Sequence, residues 1–251
     1  MLRSVETIKR NMNILHKKLE NTNANITNVN TPGYKFQNII QSTLEGREMI
    51  NYSGGLNLVE RQDIGNFVFG NQIDWVYKNF EQGILNKTDK KTDFGLVSNG
   101  FFSIQLNNKI GFTRDGNFKI NNENLLTTME GYPVLGVDEY GETSYINIED
   151  PNFEVDNKGN ILNHGIKLYI VDFDDYQTLD TMGDTIFLSD DMNYNAIDGE
   201  VSQGYLELSN VNVVDEMIKM IEVSREFESN QKILKSMDET LSKAVNDIGR
   251  V

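Results

Sequence analysis

Large apolar residues recur every seven positions along the last fifth of the chain, residues 209–251. This C-terminal seam comprises Val213, Met220, Phe227, Leu234, Leu241 and Ile248. Such a repeat predicts a helix with an apolar stripe along one side, which a lone helix in water cannot bury. Polar residues at Ser224, Asn230 and Gln231 interrupt the stripe. The pattern therefore predicts a helix that needs a partner but does not form a perfect dimeric zipper.

The first 30 residues carry a second apolar stripe, with alternating spacings of three and four. This N-terminal seam comprises Val5, Ile8, Met12, Leu15, Leu19, Ile26 and Val29, with Thr22 as a polar exception. The spacing predicts an amphipathic helix. Pro32 and Gly33 predict that the helix ends before them, because proline lacks a backbone donor and glycine permits positive φ. Each terminal helix either packs on the central region or pairs with the other helix and with neighbouring subunits.

The middle of the chain loses helical periodicity. Residues 31–78 are weakly patterned and predict an irregular or extended linker. In residues 79–208 short apolar runs alternate with turns, and the runs at 100–106 and 110–114 predict a hairpin. The run at 117–122 reappears in similar form at 152–157, which suggests that one strand-turn-strand unit is used twice.

These patterns together predict an α+β fold. Of the two alternatives for the terminal helices we predict the second, in which the long N- and C-terminal helices pair in a coiled-coil-like layer, with a discontinuous, mainly antiparallel β domain between them in sequence. The predicted divisions are residues 1–30 for the N-terminal helix, 31–78 for the linker, 79–208 for the central β domain and 209–251 for the C-terminal helix.

Composition excludes several classes of function. A net charge of −15 argues against nonspecific nucleic-acid binding, which needs clustered Lys and Arg. The first 35 residues nevertheless hold six Lys/Arg against two Asp/Glu, so the acidic charge is concentrated in the middle. The absence of cysteine excludes disulfides and thiolate metal sites. No apolar run is long enough to span a bilayer or resembles a secretory signal, so we expect any export to use another route.

No pattern of catalytic or metal-binding residues stands out. His16 lies on the predicted N-terminal helix and His164 in a turn, and neither has neighbours at metal-ligand spacing. Acidic residues are frequent enough to supply a pair for glycan hydrolysis by chance; the densest group contains Asp172, Asp174, Asp175, Asp180, Asp190 and Asp191. We predict no catalytic residue, cofactor or metal, with a cell-wall glycan hydrolase and a secreted adhesin-like binding module as the alternatives.

Three separated motifs carry a family resemblance. Residues 25–35 read NITNVNTPGYK, residues 113–118 read TRDGNF after GFF at 100–102, and residues 203–214 read QGYLELSNVNVV. In this order they resemble the signatures of bacterial flagellar basal-body rod and hook proteins. The terminal motif positions are Asn25, Asn28, Asn30, Thr31, Gly33, Tyr34, Lys35, Ser209, Asn210, Val211 and Asn212.

The resemblance implies a structural subunit of the flagellar rod, without a catalytic residue or cofactor. It implies export through the flagellar type III apparatus, helical assembly with itself and with other rod and hook subunits, and a place in the extracytoplasmic basal body. Distal-rod and proximal-rod branches both remain open. Lys9, Arg10 and Asn11 replace small residues typical of the family's first helix, and Pro32 stands where Thr is frequent.

Overall fold

The computed structural model describes residues 2–53, 60–107, 109–138, 140–150, 152–162, 164–189 and 194–248. The chain divides into two compact units. Unit 1 contains Met1–Ala24, Gln37–Tyr77 and Val213–Val251, and unit 2 contains Asn25–Phe36 and Lys78–Asn212. Each unit is therefore assembled from segments that are distant in sequence.

One helix lies at each end of the chain. Helix α1 spans Leu2–Thr27 and continues into a 3-10 turn at Asn28–Asn30. It ends before Pro32, which confirms the sequence prediction. Helix α2 spans Val213–Ile248, with Asp215 and Glu216 in its first turn, where carboxylates stabilise the positive end of the helix dipole. In the described residues neither helix has an apolar stretch long enough to cross a membrane.

Unit 1 also contains two β ribbons: β1 (Gln37–Thr43) pairs with β4 (Asn71–Lys78), and β2 (Arg47–Ser53) pairs antiparallel with β3 (Glu60–Phe67). The segment 31–78, predicted as an irregular or extended linker, thus contains four strands. Most described residues of the second ribbon are exposed, as is most of β4. Strands without a fully buried face do not need a regular apolar alternation, so the sequence pattern gave little sign of them.

Unit 2 holds sixteen short strands among its described residues. They are β5 (Leu85–Lys87), β6 (Phe94–Leu96), β7 (Phe101–Leu106), β8 (Lys109–Thr113), β9 (Phe118–Ile120), β10 (Leu126–Thr128), β11 (Leu135–Asp138), β12 (Thr143–Tyr145), β13 (Asn160–Ile161), β14 (Ile166–Leu168), β15 (Ile170–Phe173), β16 (Asp180–Met182), β17 (Ile186–Leu188), β18 (Tyr194–Ala196), β19 (Val201–Gln203) and β20 (Tyr205–Glu207). The predicted hairpin is confirmed as β7–β8, which pairs antiparallel from Phe102 with Thr113 to Leu106 with Lys109.

The strands form a six-stranded sheet in the order β16-β17-β8-β7-β15-β18 and a four-stranded sheet in the order β12-β11-β14-β13. Two-stranded ribbons β9–β10, β6–β19 and β5–β20 complete the unit. Strand β7 is buried on both faces: Phe102 and Ile104 join the larger apolar core, while Phe101 packs with Phe112, Phe173 and Phe187 in a second, aromatic core. This double burial explains the almost continuous apolar run at 101–106.

The apolar run at 166–173 is divided between two sheets. The division falls at Tyr169, whose backbone N–H donates to the Leu135 carbonyl at 3.0 Å and whose carbonyl accepts from the Ser103 N–H at 3.1 Å. The chain passes from the four-stranded to the six-stranded sheet at this residue. Both strands remain apolar because both sheets contribute to the core.

The repeated strand-turn-strand unit has a recognisable turn. The side-chain Oδ1 of Asn121, Asp138 and Asp156 each accepts from the backbone N–H groups two and four residues later, at 2.8 to 3.0 Å. Such local bonds satisfy the turn backbone without a partner strand. The turns at Asn121 and Asp156 belong to the repeat found in the sequence. The turn at Asp138 is a third copy, which was not recognised in the sequence.

The predicted fold class is wrong. The described chain is mainly β-strand with a single helix at each end, and the helices are not a long paired, coiled-coil-like layer. The seven-residue repeat requires only that one side of a helix be covered, and it does not specify the other terminal helix as the cover. In unit 1 both helices instead form side-chain hydrogen bonds to the beginning of β1.

Candidate functional site

The C-terminal seam is the less exposed side of α2. Val213, Met220, Phe227, Leu234 and Leu241 are half-buried, and Val223, three residues after Met220, is buried at 7% exposure. Ile248 is the last residue of the helix. Asn230, one of the polar interruptions, lies on the same side, and its buried Nδ2 has no hydrogen-bond partner. The seam therefore remains incompletely covered along α2.

A second apolar surface on α2 lies away from the seam. Val214, Met217, Ile218 and Ile221 are between 50% and 64% exposed. Their spacing of three, one and three residues places them on one side of the first turns of the helix. We call these four residues the α2 patch. Sequence reasoning did not single out this patch, because the stronger seven-residue repeat dominated the pattern.

The N-terminal seam has its deepest point in the middle of α1. Leu15 is 1% exposed, whereas Val5, Ile8, Met12, Leu19 and Ile26 are half-buried. Thr22, the polar exception, is completely buried, and its hydroxyl has no hydrogen-bond partner.

Within unit 1, the first residues of β1 connect to both helices. Asn21 Nδ2 of α1 donates to the Gln37 carbonyl at 2.7 Å, and Lys219 Nζ of α2 donates to Asn38 Oδ1 at 2.7 Å. Asn11 of α1 also donates to Glu226 of α2, at a long 3.5 Å. These bonds hold the helices through polar groups and leave the α2 patch uncovered.

The terminal motifs meet the central motif inside unit 2. Glu207 accepts from Lys35 Nζ at 2.6 Å and from Arg114 Nη1 at 3.1 Å, and all three side chains are at most 4% exposed. We call these three residues the motif cluster. Each belongs to a different family motif, so the cluster joins chain segments separated by up to 172 residues.

The motif cluster is strongly desolvated. Burial lowers the pKa of Lys35, while the neighbouring Glu207 carboxylate opposes that effect. Lys35 Nζ also donates to the Glu81 carbonyl at 2.8 Å, and Glu207 accepts from the Gly83 N–H at 2.9 Å. Arg114 lies over the Phe101 ring, with its Cζ 5.4 Å from the ring centroid. One carboxylate thus serves two buried cations.

Asn210 links three segments of the chain beside the motif cluster: its own, the one at Phe36, and the one at residues 79–81. Its Oδ1 accepts from the Phe36 N–H at 2.8 Å, and its Nδ2 donates to the carbonyls of Asn79 and Glu81 at 2.9 and 3.0 Å. An asparagine suits this position because it supplies an acceptor and two donors from one planar group. This geometry accounts for the asparagine in the C-terminal motif.

The other terminal motif residues have more local contacts. Tyr34 Oη donates to the buried Asn25 Oδ1 at 3.0 Å, and Thr31 Oγ1 donates to Asn28 Oδ1 at 2.9 Å. Ser209 Oγ accepts from the N–H of the buried Val211 at 3.3 Å. Asn30 and Asn212 are exposed. The motifs therefore combine residues that build the turn with residues that remain at the surface.

Gly33 lies directly against the central motif. Its φ is +71°, and a Cβ at this position would come within 2.3 Å of the Asp115 backbone nitrogen. Its N–H donates to the Glu207 carbonyl at 2.8 Å. A side chain would strain the backbone and collide with backbone atoms, which explains glycine at this motif position.

The backbone of Asp115 lies against Gly33, and the side-chain carboxyl of Asp115 changes its protonation near neutral pH. Burial raises its pKa to about 7, and Glu130 and Asp93 add to the effect, although the Asn117 N–H donates to its Oδ1 at 2.9 Å and opposes it. A carboxyl with a raised pKa contributes stability below its ordinary pKa of 3.8. That contribution is lost as the pH rises through about 7.

We expect Asp115→Asn to remove this pH dependence. Between pH 5 and a folded-state pKa of about 7, the change in the free energy of unfolding is at most about 3 kcal/mol, which partial solvent access reduces. Urea unfolding of the parent and the variant at pH 5 and pH 8 measures the pH dependence that Asp115 causes, because the other carboxylates affect both proteins equally. As the pH rises from 5 to 8, the free energy of unfolding of the variant should increase relative to that of the parent. If the free energies of unfolding of parent and variant differ by the same amount at pH 5 and at pH 8, Asp115 is not the source of the pH dependence.

Two of the acidic residues considered for glycan hydrolysis, Asp172 and Asp175, have structural contacts. Asp172 accepts from Tyr176 Oη at 2.5 Å. The Tyr176 pKa is raised to about 12, mainly because the side chain is partly buried and secondly because of this hydrogen bond. Asp175 caps a 3-10 turn by accepting from the Gln177 N–H at 2.9 Å. Asp180 begins β16, and Asp190 and Asp191 lie outside the described residues. Across the described ranges, no three acidic or histidine side chains converge as a metal site.

Both histidines lie at the surface of the protein. His16 Nδ1 is 3.3 Å from Glu20 Oε1 on the next turn of α1. His164 Nδ1 is 3.0 Å from the Leu162 carbonyl within its own turn. These contacts give each histidine a local structural role.

Comparison with known proteins agrees with this arrangement of motifs. Residues 96–163 match the family described as "Flagellar hook protein FlgE/F/G D1 domain", and residues 202–247 match "Flagellar basal body rod FlgEFG protein C-terminal". The first match includes Arg114, and the second includes Glu207 and the α2 patch.

Named relatives span nearly the whole chain. Flagellar basal-body rod protein FlgF of Caulobacter vibrioides is 30% identical, covering 94% of each chain. Flagellar basal-body rod protein FlgG of Buchnera aphidicola subsp. Schizaphis graminum is also 30% identical, over 93% of this chain and 92% of the relative. FlgG of Bacillus subtilis is 28% identical, over 98% and 99%. The chain belongs to the family of flagellar basal-body rod proteins.

Proposed function

We propose that the chain is a structural subunit of the flagellar basal-body rod and that it assembles helically through uncovered apolar faces of its terminal helices. The α2 patch carries this proposal, since four neighbouring apolar side chains are at least half exposed. Contiguous apolar surface is typical of protein interfaces. Burying one such side chain contributes roughly 1.5 to 3 kcal/mol, so a few per subunit support a stable contact.

The partners are further copies of the chain and other rod and hook subunits, and export through the flagellar type III apparatus delivers the subunit to the basal body. Family membership supports these partners and this location. The function is structural rather than enzymatic. The N-terminal and C-terminal seams supply further packing surface, since most of their members are only half-buried.

Electron microscopy of basal bodies from a deletion strain tests the proposed function. Without the chain, axial assembly should stop within the rod, and a plasmid copy should restore it. Antibody against the chain should label purified basal bodies from the restored strain. Complete rods in the deletion strain, or absence of the chain from purified basal bodies, would contradict the proposal.

A further inference from the structure

Strand β4 is an exposed edge strand. Its partner among the described strands is β1, which leaves the opposite edge of β4 without a strand. Every residue from Gln72 to Tyr77 is exposed, and four of them are large and apolar. These are Ile73, Trp75, Val76 and Tyr77, at 38% to 45% exposure. An exposed apolar edge is a template for pairing with another chain.

From Asn71 to Tyr77 the edge lacks the usual features that prevent such pairing, and Lys78, the last residue of β4, is buried. Residues 71–77 contain neither proline nor lysine, and Asp74 is their only charged residue. Trp75 and Tyr77 lie on the same face and pack edge to face, with ring centroids 5.8 Å apart. The aromatic pair therefore presents a preformed apolar surface, and Val76 adds apolar area on the opposite face of the strand.

Charge favours a second copy of the chain as the occupant. An identical partner carries identical charge, so a contact between copies is least opposed where the surface is nearly neutral. Unit 1 contains 13 Lys/Arg and 15 Asp/Glu, whereas unit 2 contains 10 and 23. Unit 2 of one copy would repel unit 2 of another, while unit 1 opposes self-association only weakly.

We propose that the free edge of β4 is covered by unit 1 of a second copy when subunits assemble. This inference rests on the proposed assembly function and adds a contact separate from the α2 patch. Main-chain hydrogen bonds along the edge would supply affinity, and burial of Trp75 and Tyr77 would fix the position of the incoming copy.

Trp75 provides the probe, because it is the only tryptophan in the chain. Sedimentation of the full chain at rising concentration measures association, and acrylamide quenching of Trp75 in the same samples measures its exposure. We expect association to shift the emission to shorter wavelength and to lower the quenching constant at least about twofold. Val76→Lys places a charge on the edge while keeping the probe, and should weaken association at least about tenfold.

Tyr140→Lys is the matched control, because Tyr140 lies in unit 2 and is 91% exposed. It should associate and protect Trp75 as the parent does, and circular dichroism should show equal folding of both variants. Association with unchanged Trp75 quenching would overturn the β4 proposal and leave the assembly function standing. Parental association by Val76→Lys would also overturn it. Failure of the parent to associate at any concentration would count against both proposals.

Discussion

Replacing Ile218 with aspartate should reduce incorporation of the chain into the rod at least about tenfold, which corresponds to about 1.4 kcal/mol per contact. Ile218 is 52% exposed in the subunit, so the substitution creates no buried charge before assembly. A neighbouring copy that covers the α2 patch would bury the carboxylate without a partner, which costs several kcal/mol. Because every copy repeats the contact, the defect recurs at each step of assembly.

Ile218→Leu is the matched control, since it keeps the size and apolar character of the side chain. Basal bodies purified from cells that express each variant report incorporation, and circular dichroism of the purified subunits reports folding. The aspartate variant should fold normally, because surface substitutions usually change stability by less than about 0.5 kcal/mol. Incorporation of Ile218→Asp at the level of Ile218→Leu would show that the α2 patch is not an assembly surface.

Glu207→Gln should destabilise unit 2 by about 3 to 5 kcal/mol, because it leaves Lys35 and Arg114 buried without their carboxylate. The amide keeps the size of the side chain and can still accept from the Gly83 N–H, so lost charge rather than lost volume causes the effect. Both cations are at most 4% exposed, and solvent cannot replace the carboxylate without opening the structure. Urea unfolding of the purified chain, followed by circular dichroism, measures the loss.

Glu200→Gln makes the same chemical change at an exposed position of unit 2 and serves as the control. We expect it to change the free energy of unfolding by less than about 0.5 kcal/mol. Equal, small effects of the two substitutions would mean that the motif cluster does not stabilise the unit. Such a result would remove the physical explanation for the charged residues in the three motifs.

The sequence predicted the elements whose burial follows a regular period. Residues of the N-terminal seam lie on the less exposed side of α1, the helix ends before Pro32, and the β7–β8 hairpin forms where apolar runs flank a turn. The motifs identified the family without a structure. In each case local residue choice and the final environment point to the same result.

Contacts between distant segments could not be predicted from the sequence. Lys35, Arg114 and Glu207 meet only after unit 2 has folded, and a single charged residue in a motif does not reveal its partner. The pairing of α1 with α2 was inferred from their periods alone, although a period identifies a face and not what covers it. Strand β4 was missed because Val76 interrupts the alternation of Ile73, Trp75 and Tyr77 with polar residues, and because neither face is buried from Gln72 to Tyr77.

A side-chain-resolution electron cryomicroscopy reconstruction of the rod in purified basal bodies tests assembly through the α2 patch most directly. We expect Met217, Ile218 and Ile221 of each copy of the chain to contact a neighbouring subunit and to be buried there. A rod that contains the chain with these three side chains facing solvent would contradict assembly through the α2 patch.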